Sequence, residues 1–223
     1  MDYTKVELLA PAGGREALAA AVLSGADAVY LGGSLFSARA GAGNFDLETL
    51  PEALGFAHRH GVKVYITVNT LVKDRELGDL YRFLGALEDM GVDAVILQDP
   101  GVLNLVRREF PGLVVHASTQ MTLHNTPGVR FLRDRGARRV VLARENTLEE
   151  IRTMAGTGVE LEAFVHGAMC ISYSGRCLLS NYMIQRDANR GECAHPCRWK
   201  YQLVEEKRPG EYMPVYEDET GTY

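Results

Sequence analysis

Cysteine is absent from the first 169 residues of this 223-residue chain. Apolar runs long enough to span a membrane are absent as well, so no membrane partner is expected. The net charge of −5 argues against a protein whose whole surface is basic and binds nucleic acid non-specifically. The first residues, MDYTKVELLAPAGG, lack the basic and then apolar pattern of a secretory signal. We therefore expect a cytoplasmic protein, where structural disulfides are rare.

Three catalytic or cofactor signatures are also missing. The sequence has no HExxH, which a zinc peptidase would use, and no serine in a GxSxG elbow. The turn Pro11–Gly14 after the first predicted strand has no GxGxxG fingerprint of a dinucleotide-binding sheet. A peptidase reading therefore needs residues that the sequence does not display.

All four cysteines lie in one stretch near the C-terminal end: Cys170, Cys177, Cys193 and Cys197. Zinc sites commonly use paired CxxC knuckles, whereas here six, fifteen and three residues separate successive cysteines. This wide, uneven spacing, with glycine and serine between the cysteines, favours an iron–sulfur cluster. A cluster would bring the four sulfurs to a single cavity, and we expect them to be buried there, because exposed thiolates oxidise. Zinc and unligated thiols stay open as alternatives.

Six short apolar segments, each led by a glycine, predict buried parallel strands. With Val6–Leu9 they make seven strands, the others being Gly25–Leu31, Gly61–Ile66, Gly91–Leu97, Gly112–His116, Gly136–Leu142 and Gly158–Phe164. The glycines fit helix C-caps. Helical patterns alternate with the strands at Arg15–Ser24, Leu47–His60, Glu76–Met90, Gly101–Glu109, Thr126–Arg135 and Thr147–Ala155. Thr147 and Glu150 predict a capping box.

Alternating strands and helices predict an α/β protein with a parallel sheet, either a closed barrel or a doubly wound sheet. Polar residues just past successive strands favour a TIM-like (β/α) barrel, since its active site lies at the carboxyl ends of the strands. Only seven of eight strands are present, so the predicted barrel is incomplete. We expect a barrel core at 1–165, a four-cysteine segment on its C-terminal face at 166–200, and a truncated β-rich part at 201–223. The chain ends in mid-pattern and is expected to be a fragment.

The barrel mouth supplies the candidate site residues. Six strand-end residues are expected around one mouth, with Cys170 at its rim. They are Asn69, Gln98, Ser118, Gln120, Arg144 and His166. Arg39, in the loop after the second strand, is expected to contact substrate at the same end. Glu162 alternates with Phe164 and points inward, as a functional carboxylate or as a partner of Arg144. His166 is a candidate base or satisfies a buried carbonyl, and His116 is expected in the core.

Local charge leaves room for an RNA partner despite the acidic total. The stretch His166–Tyr201, which includes Arg176, has a net charge of +3, and Arg130–Arg144 has +5. Phosphate contacts need such patches and do not need a basic protein. The alternative for Arg130–Arg135 is an ordinary solvated helix face.

The stretch from Glu162 to Ser180 resembles the signature of the collagenase-like peptidase family U32. It reads E-x-F-x-x-G-A-M-C, then four residues, then G-x-C-x-L-S. Further segments that resemble the family are Glu7–Gly13, Phe36–Arg39 with Asn44 and Phe45, and Ala117–Gln120 with His124 and Asn125. The C-terminal segments resemble the branch that hydroxylates tRNA uridine: Asn189–Gly191, Cys193, Cys197–Trp199 and Lys207–Tyr212.

The resemblance implies more than the residues show alone. It implies a 4Fe–4S cluster held by the four cysteines, tRNA as the partner, and prephenate as a co-substrate. From their positions in the predicted barrel, Glu162 and His166 are the expected catalytic residues, and the mouth residues are expected to contact substrate. Two other functions stay open, namely a U32-type peptidase, as the family name says, and a zinc-stapled binding module without catalysis.

Overall fold

The computed structural model describes residues 6–38, 42–213, 217–218 and 221–222. Its first seven strands are β1 Leu9–Ala12, β2 Ala28–Gly32, β3 Lys63–Val68, β4 Ala94–Leu97, β5 Val115–Ala117, β6 Ala137–Val141 and β7 Glu160–Glu162. Its helices are α1 Arg15–Leu23, α2 Leu50–Arg59, α3 Leu77–Met90, α4 Pro100–Glu109, α5 Thr126–Asp134, α6 Leu148–Met154 and α7 Leu179–Ile184. The alternation that the sequence predicts is confirmed.

The seven strands form one parallel sheet in chain order, β1 to β7. In a flat sheet β1 and β6 would lie five spacings of about 4.8 Å apart, roughly 24 Å. Instead Glu7, just before β1, accepts a hydrogen bond of 2.6 Å from Arg139 of β6. The sheet therefore curls into an incomplete barrel, which confirms the predicted fold and excludes the doubly wound order.

At both edges of the sheet, the strand boundaries differ from the prediction. β1 begins at Leu9, three residues after the predicted start, because its register pairs Leu9 with Ala28. Val6 is exposed, whereas the predicted strand would have buried it. β7 ends at Glu162, and Phe164 beyond it is 45% exposed. The predicted strands at both edges of the sheet thus included apolar residues that lie outside the paired register.

The sheet separates two apolar layers, since successive strand residues point to opposite faces. The larger layer lies between sheet and helices and contains Val29, Ile66, Leu97 and Leu84. The smaller layer fills the lumen and consists of Ala28, Tyr65, Ala94 and Ile96, with Leu9 and Tyr30 packed against it. The lumen is therefore a packed core that leaves room for chemistry at the strand ends.

The local signals at helix ends are mostly confirmed. Four of the six strand-leading glycines close the preceding helix with φ between 71° and 91°, namely Gly25, Gly61, Gly91 and Gly136. Gly158 has a φ of 83° but lies three residues past the C-cap of α6. Gly112 has no positive φ, and its N–H donates to the Glu88 carboxylate. Thr147 and Glu150 form the predicted capping box at α6. Asp99 caps α4 by accepting from the N–H groups of Gly101 and Val102.

Beyond the barrel, short antiparallel pairs join Leu203–Val204 to Tyr212–Met213, and Glu217–Asp218 to Gly221–Thr222. These pairs lie in the part expected to be β-rich, 201–223, of which residues 214–216, 219–220 and 223 lie outside the described residues. No helix in the described part of the chain is long and apolar enough to cross a membrane.

Candidate active site at the barrel mouth

The carboxyl ends of the strands bring the predicted mouth residues to one end of the barrel. Val68 pairs with Leu97, and Leu97 pairs with Ala117, so Asn69, Gln98 and Ser118 follow three neighbouring strands in register. Asn69 accepts a hydrogen bond from the Ala38 N–H through its Oδ1 at 2.9 Å, which holds the loop after β2 at the mouth. Arg39, one residue further, lies outside the described residues.

Two glutamines at the mouth carry unsatisfied acceptors. Among the described residues, the Oε1 atoms of Gln98 and Gln120 are buried and have no hydrogen-bond partner. Gln98 is only 5% exposed. A buried carboxamide oxygen without a donor costs about 1–3 kcal/mol and calls for an explanation. Ser118 differs, since its hydroxyl accepts from the Gln120 N–H at 3.2 Å and caps a 3₁₀ turn.

Arg144 fixes the start of the cysteine segment. Its guanidinium donates to the carbonyls of Cys170 (3.3 Å) and Ser172 (3.2 Å), and its Nε donates to the Ser174 hydroxyl (3.2 Å). Cys170, predicted at the rim, is therefore held against a residue of the loop that follows β6. With these donors occupied, the geometry makes Arg144 a positioning residue for the segment.

Ser174 is a buried residue that hydrogen-bonds to two loops of the barrel, and the sequence did not single it out. Its N–H donates to the Glu145 carboxylate at 2.9 Å, and its carbonyl accepts from the Thr122 hydroxyl at 2.7 Å. At the next position, Gly175, a Cβ would overlap the Gln120 carbonyl. Arg176 follows, exposed, and its Nε donates to Thr122 at 3.1 Å. The only sequence signal for this contact was the glycine between the first two cysteines.

A second anchor holds the segment on the opposite side of the mouth. Arg190 pairs with Glu76 through two hydrogen bonds, one of them 3.0 Å long, and also donates to the Leu71 carbonyl. The hydrogen bond from Arg190 is the main cause that lowers the pKa of Glu76 to about 2. The segment thus reaches from the β5–β6 side to the loop after β3, across the mouth.

The cysteines are free and are not joined as disulfides. Cys170 and Cys197 are exposed, so the burial expected for all four is wrong. Among the described residues, no three His, Cys, Asp or Glu side chains lie close enough to hold a metal ion. A cluster would hold the four sulfurs farther apart than a single ion does, so their convergence on one cluster stays a prediction. Four thiols are the donor set that a 4Fe–4S cluster uses.

The fold of the segment nevertheless brings the neighbours of the cysteines together. Asn189 donates to the Cys177 carbonyl at 3.0 Å, and Ala194, beside Cys193, donates to the Ser180 hydroxyl at 3.2 Å. Arg198, beside Cys197, reaches the Met169 carbonyl next to Cys170 at 3.5 Å. These contacts link α7 to the turns that carry the last two cysteines.

Glu162 points into the lumen, as expected, but its partner is Arg139 and not Arg144, at 3.3 Å. Burial raises the pKa of Glu162, and the Arg139 charge opposes that shift. His166 is exposed and makes no hydrogen bond or ion pair within the part of the chain that the structure describes. The structure therefore does not join these two candidate catalytic residues.

Arg139 is the centre of a lumen network that the sequence did not reveal. The network comprises Arg139, Glu7, Glu160, Glu162 and Tyr65. Arg139 binds Glu7 at 2.6 Å and Glu160 at 2.7 Å, and Tyr65 donates to Glu7 at 2.8 Å. Burial alone would raise the pKa of Glu7, but hydrogen bonds from Arg139, Lys63 and Tyr65 outweigh it and bring that pKa to about 2.

His116 packs against this network in the core, as predicted, and is 2% exposed. Its ring lies 4.6 Å from the Tyr65 ring, edge to face. Burial, with the nearby Arg139 charge, lowers the pKa of His116 to about 4. The imidazole is therefore neutral near pH 7.

Fold and mouth together define an α/β-barrel protein with a cysteine-rich segment over the carboxyl ends of its strands. A family model for peptidase family U32 matches residues 13–223, and the chain belongs to that family. A solved structure of a U32 peptidase covers 73% of this chain and 70% of its own, with a TM-score of 0.61 and 16% identity. That likeness supports the fold.

Three relatives with known names illustrate the range of the family. The chain is 46% identical to a tRNA hydroxylation protein P1 of Bacillus subtilis, over 90% of this chain and 48% of the relative. It is 42% identical to a 23S rRNA 5-hydroxycytidine synthase of Escherichia coli, over 91% and 31%. It is 36% identical to a collagenase of Porphyromonas gingivalis, over 94% and 53%. The chain thus spans about half the length of these relatives, or less.

Proposed function

We propose that this chain is the barrel part of an RNA-hydroxylating enzyme, with a tRNA wobble uridine as its substrate. The names of the relatives from Bacillus subtilis and Escherichia coli support RNA hydroxylation. The observation that carries the proposal is the pair of buried, unpartnered carboxamide oxygens of Gln98 and Gln120 at the mouth.

A carboxamide suits the Watson–Crick edge of uracil. That edge places an N3–H donor between two carbonyl acceptors, and proteins read unstacked RNA bases through such edges. Gln98 can accept from N3–H through its unpartnered Oε1 and donate to a uracil carbonyl through its NH2 group. A uridine at the mouth would therefore satisfy the acceptor that the fold leaves open.

The peptidase alternative lacks an activated nucleophile. Within the described residues, no histidine ring is hydrogen-bonded to a serine, threonine or cysteine side chain, as nucleophilic catalysis requires. The Ser118 hydroxyl at the mouth is used in a backbone cap. These contacts favour RNA chemistry over peptide hydrolysis.

The cluster stays part of the proposal, with Cys170, Cys177, Cys193 and Cys197 as its ligands. When bound, a 4Fe–4S cluster would supply electron-transfer or Lewis-acid chemistry. Iron and acid-labile sulfide analysis of anaerobically purified protein separates a cluster from zinc. Cys193→Ala should lose the iron and its brown absorbance, whereas full cluster content in that variant would remove Cys193 from the ligand set.

Two further roles complete the proposal. Glu162 and His166 are proposed as proton-transfer groups, and the pKa of Glu162, raised by burial, suits a general base. Arg176 is exposed, and among the described residues only its Nε is engaged, by Thr122, so its other donors suit an acid such as prephenate. Arg39 is proposed for the same role.

The test is complementation in cells that lack their own tRNA uridine hydroxylases. Mass spectrometry of tRNA nucleosides should detect 5-hydroxyuridine derivatives when this protein is supplied within its full-length chain. Gln98→Met should abolish them, because the methionine cannot read the uracil edge. The control is Gln202→Met, at an exposed glutamine outside the mouth. Full modification by the Gln98 variant would contradict the proposal.

A further inference from the structure

A groove between α4 and α5 lies on the outer wall of the barrel. Its cavity volume is about 310 Å³. Leu103, Met121 and Leu132 form an apolar floor, and Arg107, Asn104 and Arg135 add polar groups. Phe131 completes the wall and is 51% exposed. Contiguous apolar surface rimmed by polar residues is typical of interaction sites.

The charge of this groove has one sign. No carboxylate lines it, and within the described ranges neither Arg107 nor Arg135 has an acidic partner. Arg130, on the same helix as Phe131, is exposed and also has none there. By contrast, the other large cavity, beside Arg190, is lined by the carboxylates of Glu76 and Asp79. The groove therefore suits an anion, whereas the other cavity does not.

The Arg135 guanidinium and the Phe131 ring stack on each other on the surface of α5. The guanidinium carbon of Arg135 lies 3.4 Å from the centroid of the Phe131 ring. Its Nη1 donates to the Phe131 carbonyl at 3.3 Å, which holds the guanidinium over the ring. Aromatic rings and guanidinium planes are the surfaces on which unpaired bases stack in protein–RNA complexes.

The groove begins at the mouth. Pro100 lines it two residues after Gln98, and Met121 lines it one residue after Gln120. From Pro100 to Arg107 the groove follows α4 away from the mouth for roughly 10 Å, at about 1.5 Å per residue. A strand whose target base occupies the mouth can therefore continue along this groove.

We propose that the α4–α5 groove binds the single-stranded RNA next to the nucleotide at the mouth. Arg107 and Arg135 contact phosphates, and one base stacks on the Phe131–Arg135 pair. This inference rests on the proposed function and adds a binding surface outside the barrel mouth.

The test measures RNA affinity and its salt dependence. The probe is a fluorescein-labelled oligouridylate of about 12 nucleotides, within the size range of single-strand sites, followed by fluorescence anisotropy at several KCl concentrations. The Arg107→Ala, Arg135→Ala double variant should bind about tenfold more weakly. Its log–log salt slope should fall by about 1.4, or about 0.7 for each lost phosphate contact. Phe131→Leu should weaken binding about tenfold and keep the slope.

The matched control is the double variant Arg15→Ala, Arg82→Ala. It removes the same charge from exposed arginines on α1 and α3, so its affinity and slope should stay those of the unaltered protein. Thermal unfolding followed by circular dichroism checks that every variant is folded. Unchanged binding by the Arg107, Arg135 variant would overturn the groove inference alone. A change in its oligomeric state without a change in RNA binding would assign the groove to protein contact and also overturn it.

Absence of RNA binding by the unaltered protein is a different result. It would overturn the proposed function together with the groove inference, so the two failures are distinguishable.

Discussion

The amino and carboxyl ends of the barrel lumen differ in whether their buried polar groups have partners. In the amino-terminal half, Arg139 is matched by Glu7 at 2.6 Å and by Glu160 at 2.7 Å. At the carboxyl end, the acceptors of Gln98 and Gln120 have no partner in the described structure. Satisfied charges hold a barrel closed, whereas unsatisfied groups bind a ligand. Stability and ligand binding are thus assigned to different ends of the same strands.

The largest expected effect is the loss of the lumen cation. Arg139→Met leaves three carboxylates near one another without their buried counter-charge. Removing one partner of a buried ion pair costs about 3–5 kcal/mol, and we expect a decrease of that size in the free energy of unfolding. Urea denaturation measures it.

The neighbouring Arg138 supplies the control. Its side chain is 71% exposed and pairs with Glu160 at 3.3 Å. Arg138→Met should cost less than about 1 kcal/mol, as exposed pairs do. Equal effects of the two substitutions would show that the lumen network does not stabilise the barrel.

The pH dependence of stability tests the same half of the lumen. His116 has a folded pKa of about 4, below its ordinary value of 6.5, because burial disfavours the charged ring. The unfolded chain therefore binds a proton before the folded one does. Stability is complete above pH 6.5 and is lost as the pH falls towards 4, by up to roughly 3 kcal/mol for this group.

His116→Phe should remove this part of the acid sensitivity. The free energy of unfolding at pH 7 and at pH 5 should differ less in the variant than in the unaltered protein. Glu7 has a folded pKa of about 2 against 4.5, so its contribution is lost only below about pH 4.5 and should persist in the variant. An unchanged pH 7 to pH 5 difference would contradict the burial of a neutral imidazole.

The mouth should respond in the opposite way. Gln98→Met replaces an unpartnered buried carboxamide by an apolar side chain of similar length. We expect the free energy of unfolding to stay the same or to rise by about 1 kcal/mol, while RNA hydroxylation is lost. Urea denaturation of this variant beside Gln202→Met provides the measurement. A large loss of stability would place Gln98 with the structural groups.

The smallest effect is expected at the anchor of the cysteine segment. Glu76→Gln weakens the ion pair between Glu76 and Arg190. Both of these side chains are about a quarter exposed. The global free energy of unfolding should fall by less than about 1 kcal/mol. Amide hydrogen exchange in residues 179–198 should quicken, because local openings use few contacts. Asp79→Asn, next to the same cavity, is the control and should leave that exchange unchanged.

The secondary structure was accessible from the sequence because its signals are local. Glycines before apolar segments, helical periodicity and the Thr147–Glu150 box each act within a few residues, and the structure confirms them. The site was accessible only in part. Strand-end position placed Asn69, Gln98 and Ser118 correctly, since parallel strands share one carboxyl end. It did not reveal that Ser118 caps a turn or that Arg144 holds the segment.

The cysteines show the opposite case. Their number and spacing suggested one buried site, but the exposure of Cys170 and Cys197 depends on how the segment folds back over the mouth. That path is determined by the Arg144 and Arg190 contacts, which join residues up to 119 positions apart.

By itself the sequence determined the order of strands and helices, the parallel barrel and the family, because these follow from short-range periodicity and from a dense local motif. Only the tertiary structure decided which charges meet. Arg139 follows a second arginine, Arg138, in β6, and Glu7 precedes it by 132 positions. Their pairing exists because the curled sheet brings β6 back to the residues before β1. No local pattern encodes such a closure, since it depends on the summed twist and curl of seven strands.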